Sequence, residues 1–206
     1  MESAGTDSRA RLIRAGLEIL TEQGFGGTSL DDLLRRAKTP KGSFYHHFPS
    51  KHEYALVLIG EYNAYFRGRL LRAFSDKAIP AADRILRLVA DVSASMARHG
   101  FRRGCLIGNF GQEFGAGDAH IQRRVRAVFE EWEALLSACL REGQADGSIR
   151  ADLDPAAAAR LFWIGWEGAV MRARIMASDV PLQEFAAFFL SAARPAAPDA
   201  PTGRER

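Results

Sequence analysis

Apolar residues recur three and four positions apart along nearly the whole chain, whereas alternating runs of Val, Ile and Thr hardly occur. That spacing is the period of an amphipathic helix, so the pattern predicts an all-α fold. Leu12, Ile13, Gly16, Leu17 and Leu20 share one face of a first helix, which Gly24 ends, with Phe25 folding back onto the apolar side. Thr28 or Ser29 caps a second helix that runs to about Ala37. Its first turn carries Asp31 and Asp32, the latter three residues after Ser29, where a capping box places an acid. Pro40 forces Thr39 out of the helical region and suits the first position of a new helix, so Lys41–His47 reads as a third, very short helix.

A fourth helix opens at Ser50 and holds an apolar stripe through Tyr54, Leu58, Tyr62, Tyr65 and Phe66 to about Phe74, long enough to bridge two regions. Beyond Pro80 the pattern predicts helices at about 81–99, 105–116, 118–144, 155–177 and 182–193, punctuated by Gly100, Gly117, Gly147 and Pro181. There is no internal repeat. The organisation is a flexible N-terminus (1–7), a compact three-helix unit (8–52), a larger helical domain (53–193) and a Pro- and Ala-rich disordered tail (194–206).

Composition narrows the class. With 206 residues, 47% hydrophobic and 26% charged, the chain has the balance of a soluble globular protein of one or two domains. No apolar run approaches the roughly 20 residues of a membrane helix and no apolar signal segment opens the chain, so it reads as soluble and cytoplasmic, without a membrane partner. Two cysteines, Cys105 and Cys139, are too few for a disulfide framework. A net charge of +3 permits a polyanionic partner without indicating one, so that evidence has to come from pattern.

The first fifty residues supply it. A tight helix pair followed by a helix too short to support itself is the arrangement that pushes one helix into a major groove. Thr39, Lys41, Ser43, Tyr45, His46 and His47 offer hydroxyls, an ammonium and imidazoles, while Phe44 and Phe48 anchor the inner face and Gly42 leaves room for close backbone approach. Thr28, Tyr45 and Lys51 are placed to meet phosphate oxygens. The competing reading is the polar end of a helical bundle, with these groups merely solvated. Gly24, Gly26 and Gly27 do not make a nucleotide loop, because a helix precedes them and Ser29 takes the place of a third glycine.

Residues 28–37, TSLDDLLRRA, and residues 40–51, PKGSFYHHFPSK, resemble the DNA-binding segment of TetR-family transcriptional repressors, a likeness that covers about residues 9 to 60. The resemblance implies a helix-turn-helix over 8–52, a ligand-binding and dimerisation domain behind it, and operator release when a small molecule binds. By position it makes Thr28, Lys38, Thr39, Lys41, Gly42, Ser43, Tyr45, His46 and Lys51 the DNA-binding residues, with double-stranded DNA as partner and no cofactor or metal. One departure is Lys38, where the family usually has glycine. A left-handed lysine there costs roughly 1–2 kcal/mol, unless the turn differs or the side chain reaches a phosphate.

One short recognition helix touches few base pairs, so specificity calls for two copies on a palindrome. Residues 161–171 are apolar almost all round, and Leu182, Phe185, Phe188, Phe189 and Leu190 add a second broad apolar surface. These two helices are expected to pack against their copies in a homodimer. Enclosure within one monomer core is the alternative.

Residues 104–116 sort into three stripes at about 100° per residue. Leu106, Ile107, Phe110 and Phe114 are apolar; Gly104, Gly108, Gly111 and Gly115 suggest close approach of a neighbour; Cys105, Asn109, Gln112 and Glu113 are polar and suggest a pocket lining. Cys105 follows Arg102 and Arg103 at a helix start, where dipole and cations favour thiolate. The RGCLIGN phrase at residues 103–109 resembles a TetR-family branch that includes regulators responding to acrylate and to electrophiles such as N-ethylmaleimide, which implies an unsaturated acid or reactive carbonyl as inducer. Tyr62, Tyr65, Phe66, Trp132, Trp163 and Trp166 are candidate pocket walls, Arg172 and Arg174 candidate carboxylate partners, and Cys139 a core residue. Simple burial of Cys105 and simple packing of the aromatics stand as the alternatives. A thiol-dependent enzyme or a helical carrier competes with the regulator, but no Gly-x-Ser-x-Gly, His-Glu-x-x-His or paired-cysteine zinc spacing supports an enzyme.

Overall fold

The computed structural model describes residues 2–114 and 117–196, and among these every regular element is helical. The order is α1 (Glu2–Gln23), α2 (Leu30–Ala37), α3 (Lys41–His47), α4 (Lys51–Phe74), α5 (Ala81–Arg98), α6 (Leu106–Phe114), α7 (Ala119–Asp146), α8 (Pro155–Met176) and α9 (Val180–Ala193). α1 begins inside the stretch 1–7 assigned to a flexible terminus. The expected tail lies outside the described residues from 197 onward, as do residues 115–116 of the expected sixth helix. No helix among the described residues is long and apolar enough to cross a membrane.

The ends of the helices follow from local chemistry. Ser29 Oγ accepts the Asp32 N–H at 3.0 Å and donates to the Asp32 carboxylate at 2.6 Å, so the serine caps α2 and the acid holds the serine. Lys38 does take the left-handed conformation (φ 50°, ψ 48°), its N–H turned back to the last carbonyls of α2, and its side chain stays exposed. The turn therefore keeps the glycine-type geometry and bears the lysine's strain of about 1–2 kcal/mol. Ser50, Asp118 and Asp154 cap α4, α7 and α8 through their side chains. Pro181 does not separate helices as the sequence suggested. It lies in the first turn of α9, where a missing N–H is harmless, and the left-handed Ala177 ends α8 instead.

α4 joins two cores. Its first half packs Tyr54 and Leu58 against α1, and the Tyr54 hydroxyl donates to Leu12 O at 2.6 Å. Gly16 makes room for that contact, since a Cβ there would collide with the same hydroxyl. Its second half carries Phe66 to 4.5 Å from the Trp132 ring of α7 and 6.0 Å from that of Trp163 on α8. Asn63 accepts from Trp132 Nε1 at 2.8 Å, satisfying the polar atom of the most deeply buried tryptophan. Phe162 and Trp166 complete this upper core with Phe185 and Phe189 of α9.

Candidate DNA interface and effector cavity

In α3, Phe44 is fully buried, with its ring 5.2 Å from Tyr54 and 5.5 Å from Phe48. Pinned in this way, the helix turns Lys41, Gly42, Tyr45 and His46 outward, with Ser43 half-buried and Lys38 exposed just before it. His47 is tied to Ser8 at 2.7 Å, and partial burial, then His46 and Arg9, push its imidazole pKa down. The N-terminal turn of α3 has no side-chain cap, so its donors face outward beside those polar groups.

Three of the predicted DNA residues are engaged in the fold instead. Thr28 is buried and its hydroxyl donates to Gly24 O at 2.6 Å; Thr39 is buried and donates to Ala37 O at 3.0 Å. Lys51 Nζ donates to Thr28 O at 2.6 Å and Phe25 O at 3.3 Å, above the Phe25 ring. Thr28 and Lys51 brace the turn between α1 and α2, and Thr39 the turn between α2 and α3, each satisfying a backbone carbonyl at or beyond a helix end.

A cavity of about 280 Å³ opens between α1, α4, α5, α8 and the start of α6, at the small end of the roughly 300–1,000 Å³ usual for ligand sites. Of the predicted pocket residues, Tyr62, Tyr65, Phe66, Cys105 and Trp166 line it. Trp132 and Trp163 stand behind Phe66 as packing, with Trp163 Nε1 buried and unpartnered. The sequence missed Arg14, Glu18, Arg69 and Arg103, which supply charge on the wall, because the first three lie on helix faces that read as solvated and Arg103 lies in the segment between α5 and α6.

Apart from Cys105, the polar stripe does not line this cavity. Gln112 is exposed, Asn109 Nδ2 donates to Leu20 O at 3.0 Å, and Glu113 accepts the N–H groups of Phe25 at 2.9 Å and Gly26 at 2.5 Å. The stripe faces the end of α1, whose last carbonyls have no intrahelical donors of their own. Gly104 N–H donates to Thr21 O at 2.9 Å and Arg174 Nη2 to Glu22 O at 2.8 Å, completing the joint. Arg174 thus caps α1 in place of meeting a ligand carboxylate, while Arg172 is exposed. Arg103 pairs with Glu22 at 3.1 Å and Glu18 at 3.8 Å.

Two glycines of the stripe mark close neighbours: a Cβ at Gly108 would collide with the Glu167 carboxylate and one at Gly104 would sit 2.8 Å from the Arg174 side chain, whereas one at Gly111 would make only an ordinary contact and Gly115 lies outside the described residues. Glu167 also changes the chemistry of Cys105. The thiol is 8% exposed, directly precedes α6 and receives the Gly108 N–H at 3.5 Å. Burial, then the Glu167 carboxylate, push its pKa well up, against the expectation drawn from Arg102 and Arg103. The reason is geometric: Arg102 is exposed and Arg103 is directed at two glutamates, so neither neutralises a thiolate. Burial raises Glu167 to about 7, and burial, then Cys105 and Glu167, raise the Tyr62 phenol. Cys139 is core as expected, with burial raising it to about 11.

A short exposed helix pinned on a helix pair, joined by one long helix to an all-helical domain, now has its counterparts. Residues 12–56 match the family described as bacterial regulatory proteins, tetR family, and residues 81–189 match the tetracyclin repressor-like C-terminal domain. The chain belongs to the TetR family. It is 45% identical over 86% of its length to the transcriptional regulator AcuR of Cereibacter sphaeroides, covering 81% of that protein. The crystal structure of regulatory protein TetR from Rhodobacter sphaeroides superposes with a TM-score of 0.87 at 43% identity, over 89% of this chain and 97% of that one. The Escherichia coli transcriptional repressor NemR is 28% identical over 86% of this chain and 89% of its own length. Its reduced form superposes with a TM-score of 0.81, over 93% of this chain and all of that one. The TetR-family relatives are transcriptional regulators and repressors, not enzymes, and this chain is a DNA-binding regulator of the AcuR- and NemR-like branch.

Proposed function

We propose that the protein is a ligand-responsive repressor that acts in the cytoplasm as a homodimer on a palindromic operator. Each subunit places Lys41–His47 in a major groove, Lys41, Ser43, Tyr45 and His46 meeting base edges and Lys38 the backbone. The observation that carries this reading is the outward polar edge of α3 held by Phe44 from behind. Dimerisation through α8 and α9 is supported by the two-sided character of α8. Phe162, Trp166 and Val170 are buried on one face, while Leu161, Ile164 and Ile175 are 65%, 72% and 74% exposed on the other, in line with Phe188 of α9 at 74%.

The cavity is the effector site, and an unsaturated carboxylic acid or a reactive electrophile is the class of inducer, with its carbon chain against Phe66, Trp166 and Cys105. Two connections carry its occupancy to the reading head. α4 runs from the cavity wall into the first core, and Gly104, beside Cys105 on the wall, is bonded to the end of α1. Release requires the ligand to prefer the spacing of the two heads that does not fit the operator, because equal affinity for both states shifts nothing. A mobility shift on the chain's own upstream DNA tests the reading: tight binding that weakens steeply with salt and is reversed by millimolar acrylate is expected. Binding that ignores sequence, or that persists after alanine replaces Lys41, Tyr45 and His46 together, refutes it.

A further inference from the structure

Arg69 lies on α4 one turn beyond Tyr65 and forms part of the cavity wall, yet it is only 6% exposed. Its Nε donates to Asp91 of α5 at 2.7 Å, its Nη1 makes a long contact to the Tyr65 hydroxyl at 3.3 Å, and the guanidinium lies over the Tyr65 ring. Nη2 is buried and has no partner. A guanidinium cannot shed its charge, and a buried charged donor left without an acceptor is unfavourable, so this edge wants an anion. Among the described residues the one carboxylate paired with it, Asp91, is 53% exposed and takes the Nε side, leaving the end-on pair Nη1 and Nη2.

The rest of the wall defines what kind of anion. Arg14 and Arg103 add positive charge, but Arg103 is already directed at Glu18 and Glu22, and Glu18 itself faces the cavity. Beyond these, Phe66, Met96 and Trp166 make the surface apolar. One desolvated guanidinium edge, an acid on the same wall and a largely apolar remainder interrupted by Thr21, Tyr62, Ser95 and His99 suit a monoanion with a hydrocarbon body better than a phosphate, whose greater charge the acid opposes.

We propose that Arg69 anchors the carboxylate of the effector through its Nη1–Nη2 edge, making the cavity selective for small carboxylic acids over their neutral isosteres. This assignment rests on the reading of the cavity as the effector site. Asp91 acts against it: by holding Nε and supplying a competing negative charge, it sets the strength of the anchor.

The test is calorimetric titration of the full-length protein with acrylate, propionate and crotonate, each against its primary amide, with inorganic phosphate as a further probe. The wild type is expected to prefer each acid over its amide by at least ten-fold. Arg69→Gln loses that preference, Arg69→Lys keeps part of it, and Asp91→Asn binds the acids several-fold more tightly. A wild type that binds none of the acids, binds amides equally well or favours phosphate overturns the proposal, as does an Arg69→Gln protein that keeps the preference. If Arg69→Gln does not fold, as judged by circular dichroism, Asp91→Asn decides, and unchanged or weaker acid binding refutes the anchor. Operator release is read separately. Release by the amides without acid preference removes the anchor and leaves the repressor reading intact, whereas Arg69-dependent acid binding without release leaves the anchor and removes the inducer reading.

Discussion

Glu113 and Phe25 are 88 positions apart in the chain, and the carboxylate of the first accepts the backbone N–H of the second at 2.9 Å while its other oxygen takes Gly26 N–H. The turn that leads into the DNA-reading helices is therefore completed by a side chain from the C-terminal domain. Glu113→Ala removes both acceptors. Because the carboxylate is exposed, water replaces part of the loss and the destabilisation is about 1 kcal/mol, read as a lower urea midpoint. Operator affinity falls with it, since the α1–α2 turn is no longer held. Unchanged DNA binding alongside the lower midpoint contradicts the proposed linkage.

The two faces of α3 separate by experiment. Lys41→Ala and Tyr45→Ala are expected to leave the unfolding midpoint within about 0.5 kcal/mol of the parent, as exposed positions do. Operator affinity nevertheless drops at least ten-fold, and discrimination against altered operator sequences relaxes, as loss of a base-edge contact requires. Phe44→Ala, by contrast, costs about 3–5 kcal/mol of stability, because it empties the space among Tyr54, Phe48 and α1.

Ile164 stands in the middle of the exposed stripe on α8. A charge there is tolerated by a monomer and rejected by a dimer interface. Ile164→Glu is expected to sediment as a monomer at micromolar concentration and to lose operator binding while remaining helical. A dimer of normal strength removes α8 from the interface.

Glu167 gives a pH signature of definite sign. Burial raises its folded-state pKa from 4.5 to about 7, so the native state holds a proton that the unfolded chain has already lost over that interval. The stability this group contributes is present below about pH 4.5 and declines as pH rises towards 7, by about 3 kcal/mol over the whole interval. Glu167→Gln stays neutral and lacks this decline. Thermal midpoints of the two proteins should thus diverge between pH 5 and 7.5, the variant becoming the more stable of the two as pH rises. Parallel curves refute the shift.

The same residue explains where reading the chain failed. Ser29, Asp32, Pro40 and the Phe44–Phe48 pair act within a few residues of themselves, so α2, α3 and the pinned polar edge were legible, and of the apolar circumference of α8 the face with Phe162, Trp166 and Val170 is buried while that with Leu161, Ile164 and Ile175 is exposed. The thiol of Cys105 is governed by its burial and then by Glu167, and nothing along the sequence sets those residues side by side. Asn109 and Glu113 have the spacing of a pocket lining, yet they serve backbone groups of a helix end some ninety residues earlier. Arg69 sits within a solvated pattern and is enclosed only once α5 covers it. Local patterning specifies elements; the partners of polar side chains depend on which helix ends meet.

The end of α1 bears on how such proteins can be recombined. Leu20, Thr21 and Glu22 each offer a carbonyl to a donor that residues beyond 100 supply. The first fifty residues are consequently not an interchangeable cassette: grafted onto a relative lacking equivalents of Gly104, Asn109 and Arg174, they would leave the Thr21 and Glu22 oxygens to solvent and Leu20 O with the Gly24 N–H alone. A chimera that recognises its operator and ignores its inducer is the natural product of such a graft, and co-transplanting the 103–113 segment is the remedy the architecture itself prescribes.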